Sequence, residues 1–188
     1  HERLDFGGAF GKTDTAEYRA MNPNALVPTI RDGETVVWER AAIVRYLACK
    51  YGAEQFWPRD PGARARLVMW AEWMRSTIYP DFTSTLFIQL VRTPKTTRDL
   101  ARVEAAQENL KKTLVRLDAR LGSGPWLNGG NFSFADIGCG VLLHRYFTLD
   151  IDRADLPNLK AYYERLMDRP AYASHVGISF EALRHPEA

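Results

Sequence analysis

Ser133 and Asp136 stand three positions apart, a hydroxyl and a carboxylate of the kind that a histidine completes into a nucleophilic triad. No histidine shares that spacing and a helical stretch follows at once, so the pair reads as a capping box, each side chain satisfying the other's backbone N–H. His144 falls in the stretch that follows, beside Leu142 and Leu143, and reads as a packed or surface imidazole. The 2 cysteines, Cys49 and Cys139, lie outside any Cys-x-x-Cys spacing. That argues against a zinc site, a disulfide framework and a redox dithiol, and fits reduced thiols in a cytosolic protein. Glu39 is more suggestive. It sits at the turn into a helical stretch beginning at Arg40, where unpaired backbone N–H groups and the positive end of the helix dipole favour an anion, Glu39 itself being the simplest cap. Pro28 after Val27 reads on its own as a proline at the start of a strand, and Lys12 as a solvated loop lysine. Trp70, Trp73, Met74, Tyr79 and Phe82 form an aromatic cluster whose first reading is core packing.

The elements that must position these residues divide the chain in two. Residues 2–6 are strand-like and are closed by Gly7-Gly8. Residues 13–21 offer capping residues ahead of a short helix that Asn22-Pro23-Asn24 ends. Leu26-Val27-Pro28-Thr29-Ile30 and Thr35-Val36-Val37-Trp38 are β-branched runs joined through Asp32-Gly33, a hairpin signature. Residues 40–51 turn helical, with Gly52 where a C-cap belongs. The stretch 52–62 carries two prolines and no period, and marks a boundary. Beyond it, Asp60-Pro61 opens a helix with Leu67, Trp70, Ala71, Met74 and Ile78 on one stripe; Pro80 is expected to kink or interrupt it before Phe82. A second long helix follows a Thr96-Thr97 cap and stops at Gly122, and shorter ones run from Ser133 and Asn158. The fold class expected is therefore α/β plus all-α: residues 1–52, then a helical bundle over 62–188.

Composition narrows the function classes. The chain has 188 residues, 46% apolar and 26% charged, as folded soluble proteins have. Lys and Arg total 25 against 23 Asp and Glu, a net charge of +2, with the signs interspersed. This speaks against a nucleic-acid partner. No apolar run approaches the roughly 20 residues of a membrane-spanning helix, and no signal-peptide pattern opens the chain, so no membrane partner is expected.

Four local motifs resemble the cytosolic glutathione transferases, in the family's order along nearly the whole chain. Asn22-Pro23-Asn24-Ala25-Leu26-Val27-Pro28-Thr29-Ile30 is similar to the family's turn into a cis-proline at the head of a strand. Val37-Trp38-Glu39-Arg40-Ala41-Ala42-Ile43-Val44-Arg45-Tyr46-Leu47 resembles the strand-to-helix turn where the family usually has Glu-Ser. Asn131-Phe132-Ser133-Phe134-Ala135-Asp136-Ile137 resembles the capping motif of the family's helical domain, and residues 156–172 its C-terminal segment.

The resemblance implies a thioredoxin-like glutathione-binding domain, truncated at its start, followed by an all-helical domain. It implies a cis bond at Val27-Pro28, with the Val27 backbone free to pair with the cysteinyl part of glutathione as a strand edge would. Glu39 would accept from the γ-glutamyl ammonium. Arg40, where the family generally has Ser, would grip the γ-glutamyl carboxylate, and Lys12 the glycine carboxylate. Trp73, Tyr79 and Phe82 would line the cleft for an apolar electrophile, to which the glutathione thiolate is transferred without a metal. Because the chain opens with what reads as the family's second strand, the first strand and helix and the sulfur-activating residue are expected upstream of His1, leaving no catalytic residue within it. A cytoplasmic homodimer acting in detoxification is the family's usual form. A non-catalytic binding or interaction protein on the same fold is the alternative, and a glutathione-dependent isomerase or reductase a third.

Overall fold

Local sequence chemistry accounts for where each element starts and stops in the computed structural model, which describes all residues from His1 to Ala188. Thr15 caps α1, Ala16–Met21, its side chain accepting from the Tyr18 N–H. The strands β1, Thr29–Asp32, and β2, Thr35–Trp38, pair antiparallel with Thr29 opposite Trp38 and Asp32 opposite Thr35. Gly33 supplies the positive φ, 61°, that the two-residue turn between them requires. Helix α2, Arg40–Tyr51, follows directly. These elements belong to one compact unit, His1–Trp57, and the rest of the chain, Pro58–Ala188, forms a second.

The first unit departs from the sequence expectation at two strands. Residues 2–6 are not a strand: the sheet has two strands only, and extended backbone without a ladder partner is not held as β-structure. Leu26, Val27 and Pro28 likewise lie outside β1, because their segment is tied by side chains of α1 rather than by a neighbouring strand. At Gly52 the helix ends in extended backbone, φ −77° and ψ 147°, not in the left-handed conformation.

In the second unit, Asp60 caps α3, Pro61–Trp73, accepting from the Ala63 N–H at 2.6 Å, with Pro61 in the first turn where its missing N–H costs nothing. Helical backbone continues without a break through Pro80, contrary to the expected interruption. The chain relaxes into π-helix at Met74–Ile78, passes through a single α turn, α4, Tyr79–Asp81, and is again π-helical over Phe82–Arg92. The wider register accommodates the proline, and the Thr85 hydroxyl donates to the Pro80 carbonyl at 3.1 Å. Helix α5, Leu100–Leu121, starts three residues beyond the expected cap: Asp99, not Thr96 or Thr97, accepts from the Arg102 N–H. The expected helix from Ser133 divides into α6, Phe134–Gly140, and α7, Leu143–Thr148, which carries His144; α8, Pro157–Met167, and α9, Pro170–His175, complete the unit.

Its core gathers Phe82, Leu86, Val91, Leu110, Leu114, Leu117, Leu143, Leu159, Tyr162 and Leu166, all essentially inaccessible. Near its middle stands one buried carboxylate. Asp136 accepts from the Ser133 N–H (2.7 Å) and hydroxyl (2.8 Å), the Leu127 N–H (3.0 Å) and the Tyr162 hydroxyl (2.9 Å). That completes the capping box of α6 and fastens α8 to it. No helix in the chain is long and apolar enough to cross a membrane.

Candidate functional site

The hairpin register settles which of the expected site residues in the first unit are neighbours. Thr29 faces Trp38, so Pro28 and Glu39, one residue beyond each, leave the same end of the ladder. Val27–Pro28 and Glu39–Arg40 therefore emerge together there, opposite the Asp32-Gly33 turn.

Two buried side chains of α1 and its C-terminus hold the first of these segments. Tyr18 is 3% exposed and Asn22 2%. The Tyr18 hydroxyl donates to the Leu26 carbonyl at 2.8 Å and lies 3.0 Å from Thr29 Oγ1; Asn22 Nδ2 donates to the same two oxygens at 2.7 and 3.2 Å. The chain is pinned on both sides of Val27 and Pro28. Their peptide bond is cis, as the resemblance implied. Val27 itself, half exposed, makes no backbone hydrogen bond within the chain, so its N–H and C=O are available to an extended ligand. Gly7 closes over its side chain: a Cβ on Gly7 would come within 3.1 Å of Val27 Cγ2.

Glu39 does not cap α2 with its side chain, which corrects the simplest reading of it. Its φ of 67° and ψ of 114° lie in a region that side-chain-bearing residues avoid. Such a state costs on the order of 1–3 kcal/mol and persists where the surroundings enforce it. It leaves the carboxylate exposed, with no acidic residue in the first turn of α2 to compete with an incoming anion. Arg40, the first residue of α2, is exposed as well. Lys12 shares the left-handed conformation, φ 67°; its carbonyl accepts from Thr15 Oγ1 at 3.0 Å and its ammonium lies 5.9 Å from the centre of the Phe6 ring. Phe6 in turn packs on Tyr18, ring centres 5.1 Å apart, so Lys12 belongs to the same cluster as the Leu26–Thr29 clamp.

The expected cleft residues of the second unit do not behave alike. Trp73 and Tyr79 are half-buried on the long helix, Trp73 edge-on to Trp70 at 5.5 Å. Phe82, at 1% exposure, is a core residue set against Tyr146 at 5.9 Å and offers no surface to a ligand. Cys139 is fully buried with its thiol pushed well up by burial, and His144, 3.0 Å from the Tyr163 hydroxyl, is held below its ordinary range by burial; neither is placed as a nucleophile or base.

Residues 101–165 match the family model of the glutathione S-transferase C-terminal domain. Glutathione S-transferase GstB of Escherichia coli K12 is 36% identical over 173 residues, covering 91% of this chain and 83% of that protein. A theta class glutathione S-transferase from the citrus canker pathogen Xanthomonas axonopodis pv. citri, solved with glutathione bound, superposes with a TM-score of 0.85 at 44% identity, covering 94% of this chain and 84% of that one. The chain belongs to the glutathione transferase family. Disulfide-bond oxidoreductase YfcG of E. coli K12 is also similar, 30% identical over 175 residues, 89% of this chain and 77% of that protein. The thioredoxin-like and helical architecture read from the sequence is thus that of a glutathione transferase, with a two-stranded sheet in its first unit.

Sequence reasoning missed two features of this transferase. One is the Tyr18–Asn22 clamp, whose only signal is a polar pair on a short helix beside the Asn-Pro-Asn turn. The other lies at the far end of the hairpin, where Asp32 accepts from Lys50 (2.7 Å), Tyr46 (2.8 Å) and Tyr51 (2.7 Å). The hydrogen bond from Lys50, then those from the two tyrosines, hold the Asp32 carboxyl down at about 2, while Asp32 holds the Lys50 ammonium and the Tyr51 phenol above their ordinary ranges. The cluster fastens the turn of the hairpin to the last turn of α2, and so fixes the other end, where the candidate site lies.

Proposed function

We propose that this glutathione transferase binds glutathione in its first unit and conjugates the thiolate to an apolar electrophile. The Val27 N–H and C=O pair with the cysteinyl residue. Glu39 accepts from the γ-glutamyl ammonium, and the N-terminus of α2 together with the Arg40 guanidinium receives the γ-glutamyl carboxylate. Lys12 meets the glycine carboxylate. In the reaction the glutathione thiol loses its proton, the sulfur forms a bond to the electrophilic carbon, and the leaving group departs with its electron pair. Trp73 and Tyr79 receive the electrophile's apolar body, and Phe82 supports them from the core. The reading extends to a cytoplasmic homodimer in a detoxifying role, with glutathione as substrate and no metal in the chemistry.

The observation that supports this most is the unpaired, exposed backbone of Val27, clamped on both sides and set beside a strained Glu39. Calorimetry with glutathione, and turnover of 1-chloro-2,4-dinitrobenzene by the full-length protein, test it. Glutathione should bind, and Glu39→Gln should weaken binding about tenfold or more, as loss of a charge-assisted hydrogen bond does. Absence of glutathione binding would refute the assignment; binding without turnover would favour the non-catalytic form of the fold.

A further inference from the structure

The long helix changes register toward its C-terminal end, and its buried side chains follow the change. In α5 the inward residues Val103, Ala106, Leu110, Leu114, Leu117 and Leu121 recur every three or four positions, as an α-helix requires. On the long helix the inward residues Met74, Ile78, Phe82, Phe87 and Val91, with Leu86 beside Phe87, recur every four or five, the spacing of the wider π turn. At about 3.6 residues per turn, Phe82 and Val91 would stand about two and a half turns apart, on opposite faces. Both are buried, so the packing of the core is matched to the π register of Phe82–Arg92.

A π stretch of this length is costly, since the conformation is ordinarily confined to single turns. Two hydroxyls back it, Thr85 donating to the Pro80 carbonyl at 3.1 Å and Thr93 to that of Ile88 at 2.9 Å, each five positions earlier. Thr83 Oγ1 counts against it, as a buried oxygen without a hydrogen-bond partner. The carbonyls of Leu90 and Val91, at the end of the helix, are satisfied from outside it. Leu90 accepts from Arg98 at 2.9 Å and from Arg184 at 3.4 Å, and Val91 from the His185 N–H at 2.8 Å. Two of those three donors belong to the C-terminal segment. The same segment accepts from the Lys95 N–H at the Glu187 carbonyl, 3.0 Å, and lays the Phe180 ring edge-on to Phe87 with 5.3 Å between centres. Phe180 is the only buried residue after Gly177.

We propose that residues 180–187 are a clasp on the end of the long helix: the segment and the turn it covers open and close as one unit, and only the closed form holds residues 87–92 in the π register against the core. The coupling follows from the bonds. With the segment undocked, the Leu90 and Val91 carbonyls lose two of their three donors and Phe87 loses the ring that covers it, so the last turn keeps a costly backbone with less to sustain it. With the last turn out of register, its carbonyls no longer meet Arg184 and His185, and Phe180 has no ring to pack on. One buried ring and a few hydrogen bonds at exposed positions make a weak dock, so this unit opens far more often than the helices beneath it. Gly177 supplies the fixed root. It packs so closely on Met167 that a Cβ would come within 2.9 Å of the Met167 Cε, and its N–H donates to the Tyr172 carbonyl at 2.9 Å. The clasp lies wholly within the second unit and is independent of where glutathione binds.

Hydrogen exchange on the full-length protein, resolved by mass spectrometry of its peptides, tests the clasp. In the wild type the amides of residues 87–92, Lys95 and His185 should exchange together, roughly a hundredfold or more faster than those of residues 110–117 in α5. His185→Pro removes one donor without disturbing the residue before it, since Arg184 already has the extended backbone, φ −71° and ψ 132°, that precedes a proline. It should speed exchange over residues 87–92 by roughly five- to tenfold, the worth of one hydrogen bond, and leave α5 and α8 unchanged. Phe180→Ala, which removes the one buried ring, should speed it by roughly a hundredfold. Coupling is reciprocal, so Arg98→Gln, outside the segment, should speed exchange at the His185 amide. Acceleration confined to residues 178–188 in Phe180→Ala and His185→Pro overturns the clasp, as does exchange of residues 87–92 at the rate of α5 in the wild type. If Phe180→Ala fails to fold, His185→Pro and Arg98→Gln decide alone.

Discussion

Removing the Tyr18 hydroxyl and the Asn22 amide one at a time and then together should give effects that do not add. Both groups are buried and both donate to the Leu26 carbonyl, Tyr18 at 2.8 Å and Asn22 at 2.7 Å; Thr29 Oγ1 accepts from Asn22 at 3.2 Å and, the one Tyr18 proton being taken by Leu26, donates to the Tyr18 oxygen at 3.0 Å. When either is removed, the Leu26 carbonyl keeps one donor. Tyr18→Phe should therefore cost about 1 kcal/mol, the net worth of one neutral hydrogen bond. Asn22→Ala should cost about 2 kcal/mol, because it also removes the Oδ1 that accepts from the Asn24 N–H at 3.0 Å and leaves a small void. The double variant strips the Leu26 carbonyl of both donors. To the sum of the singles it adds the desolvation of an unpaired carbonyl, about 1–3 kcal/mol.

Urea unfolding of the four proteins, read by hydrogen exchange at the amides of α1, β1 and β2, yields the coupling energy directly. The double variant should also lose at least tenfold in glutathione affinity, since nothing then holds Val27 in place. Additivity within about 0.5 kcal/mol, the margin expected of independent sites, would refute the shared-acceptor reasoning.

Two further outcomes follow from other parts of the chain. Asp136→Ala leaves four donors without an acceptor in the core of the second unit, and should cost about 3–5 kcal/mol in chemical denaturation; a loss under about 1 kcal/mol would mean that water replaces the carboxylate. Asp32 is held at about 2 in the folded chain and returns to about 3.9 on unfolding, so between those values the unfolded state binds more protons and acid favours it. The stability that Asp32 contributes is complete above about pH 4 and is lost as pH falls toward 2. Asp32→Asn should accordingly flatten the acid limb of a plot of thermal midpoint against pH over that window, and an unchanged slope would count against the cluster.

What was legible in the sequence is what neighbouring residues settle among themselves. Gly33 announces its turn because glycine takes the positive φ that the two-residue loop needs, Asp60-Pro61 opens α3 through a cap and a missing N–H, and Ser133 with Asp136 closes its own box. The failures share a different cause. A strand exists by virtue of its partner, and residues 2–6 have none, whatever their own composition. An aromatic stripe gives a face but not a depth, so Phe82 looked like Tyr79 and turned out to be core. The donors to Asp32 come from 14 to 19 positions away, across a turn and a helix, where no local pattern registers them.

The candidate site sits where local rules are overridden. All three non-glycine residues with positive φ, Lys12, Ala25 and Glu39, belong to the first unit and adjoin the Leu26–Thr29 clamp or the head of α2. Each is a conformation that the side chain opposes, and each therefore has to be enforced by bonds elsewhere. For Ala25 the enforcing bonds are visible: its N–H donates to the Asn22 carbonyl at 3.0 Å, and the next residue's carbonyl is held by Tyr18 and Asn22. The long helix repeats the pattern in another form. Proline chemistry argues for a break at Pro80, yet the chain stays helical through it by widening into π turns on either side. At Glu39 the backbone departs from its residue's preference where a ligand would gain from the departure, because the carboxylate is turned off its helix and left exposed.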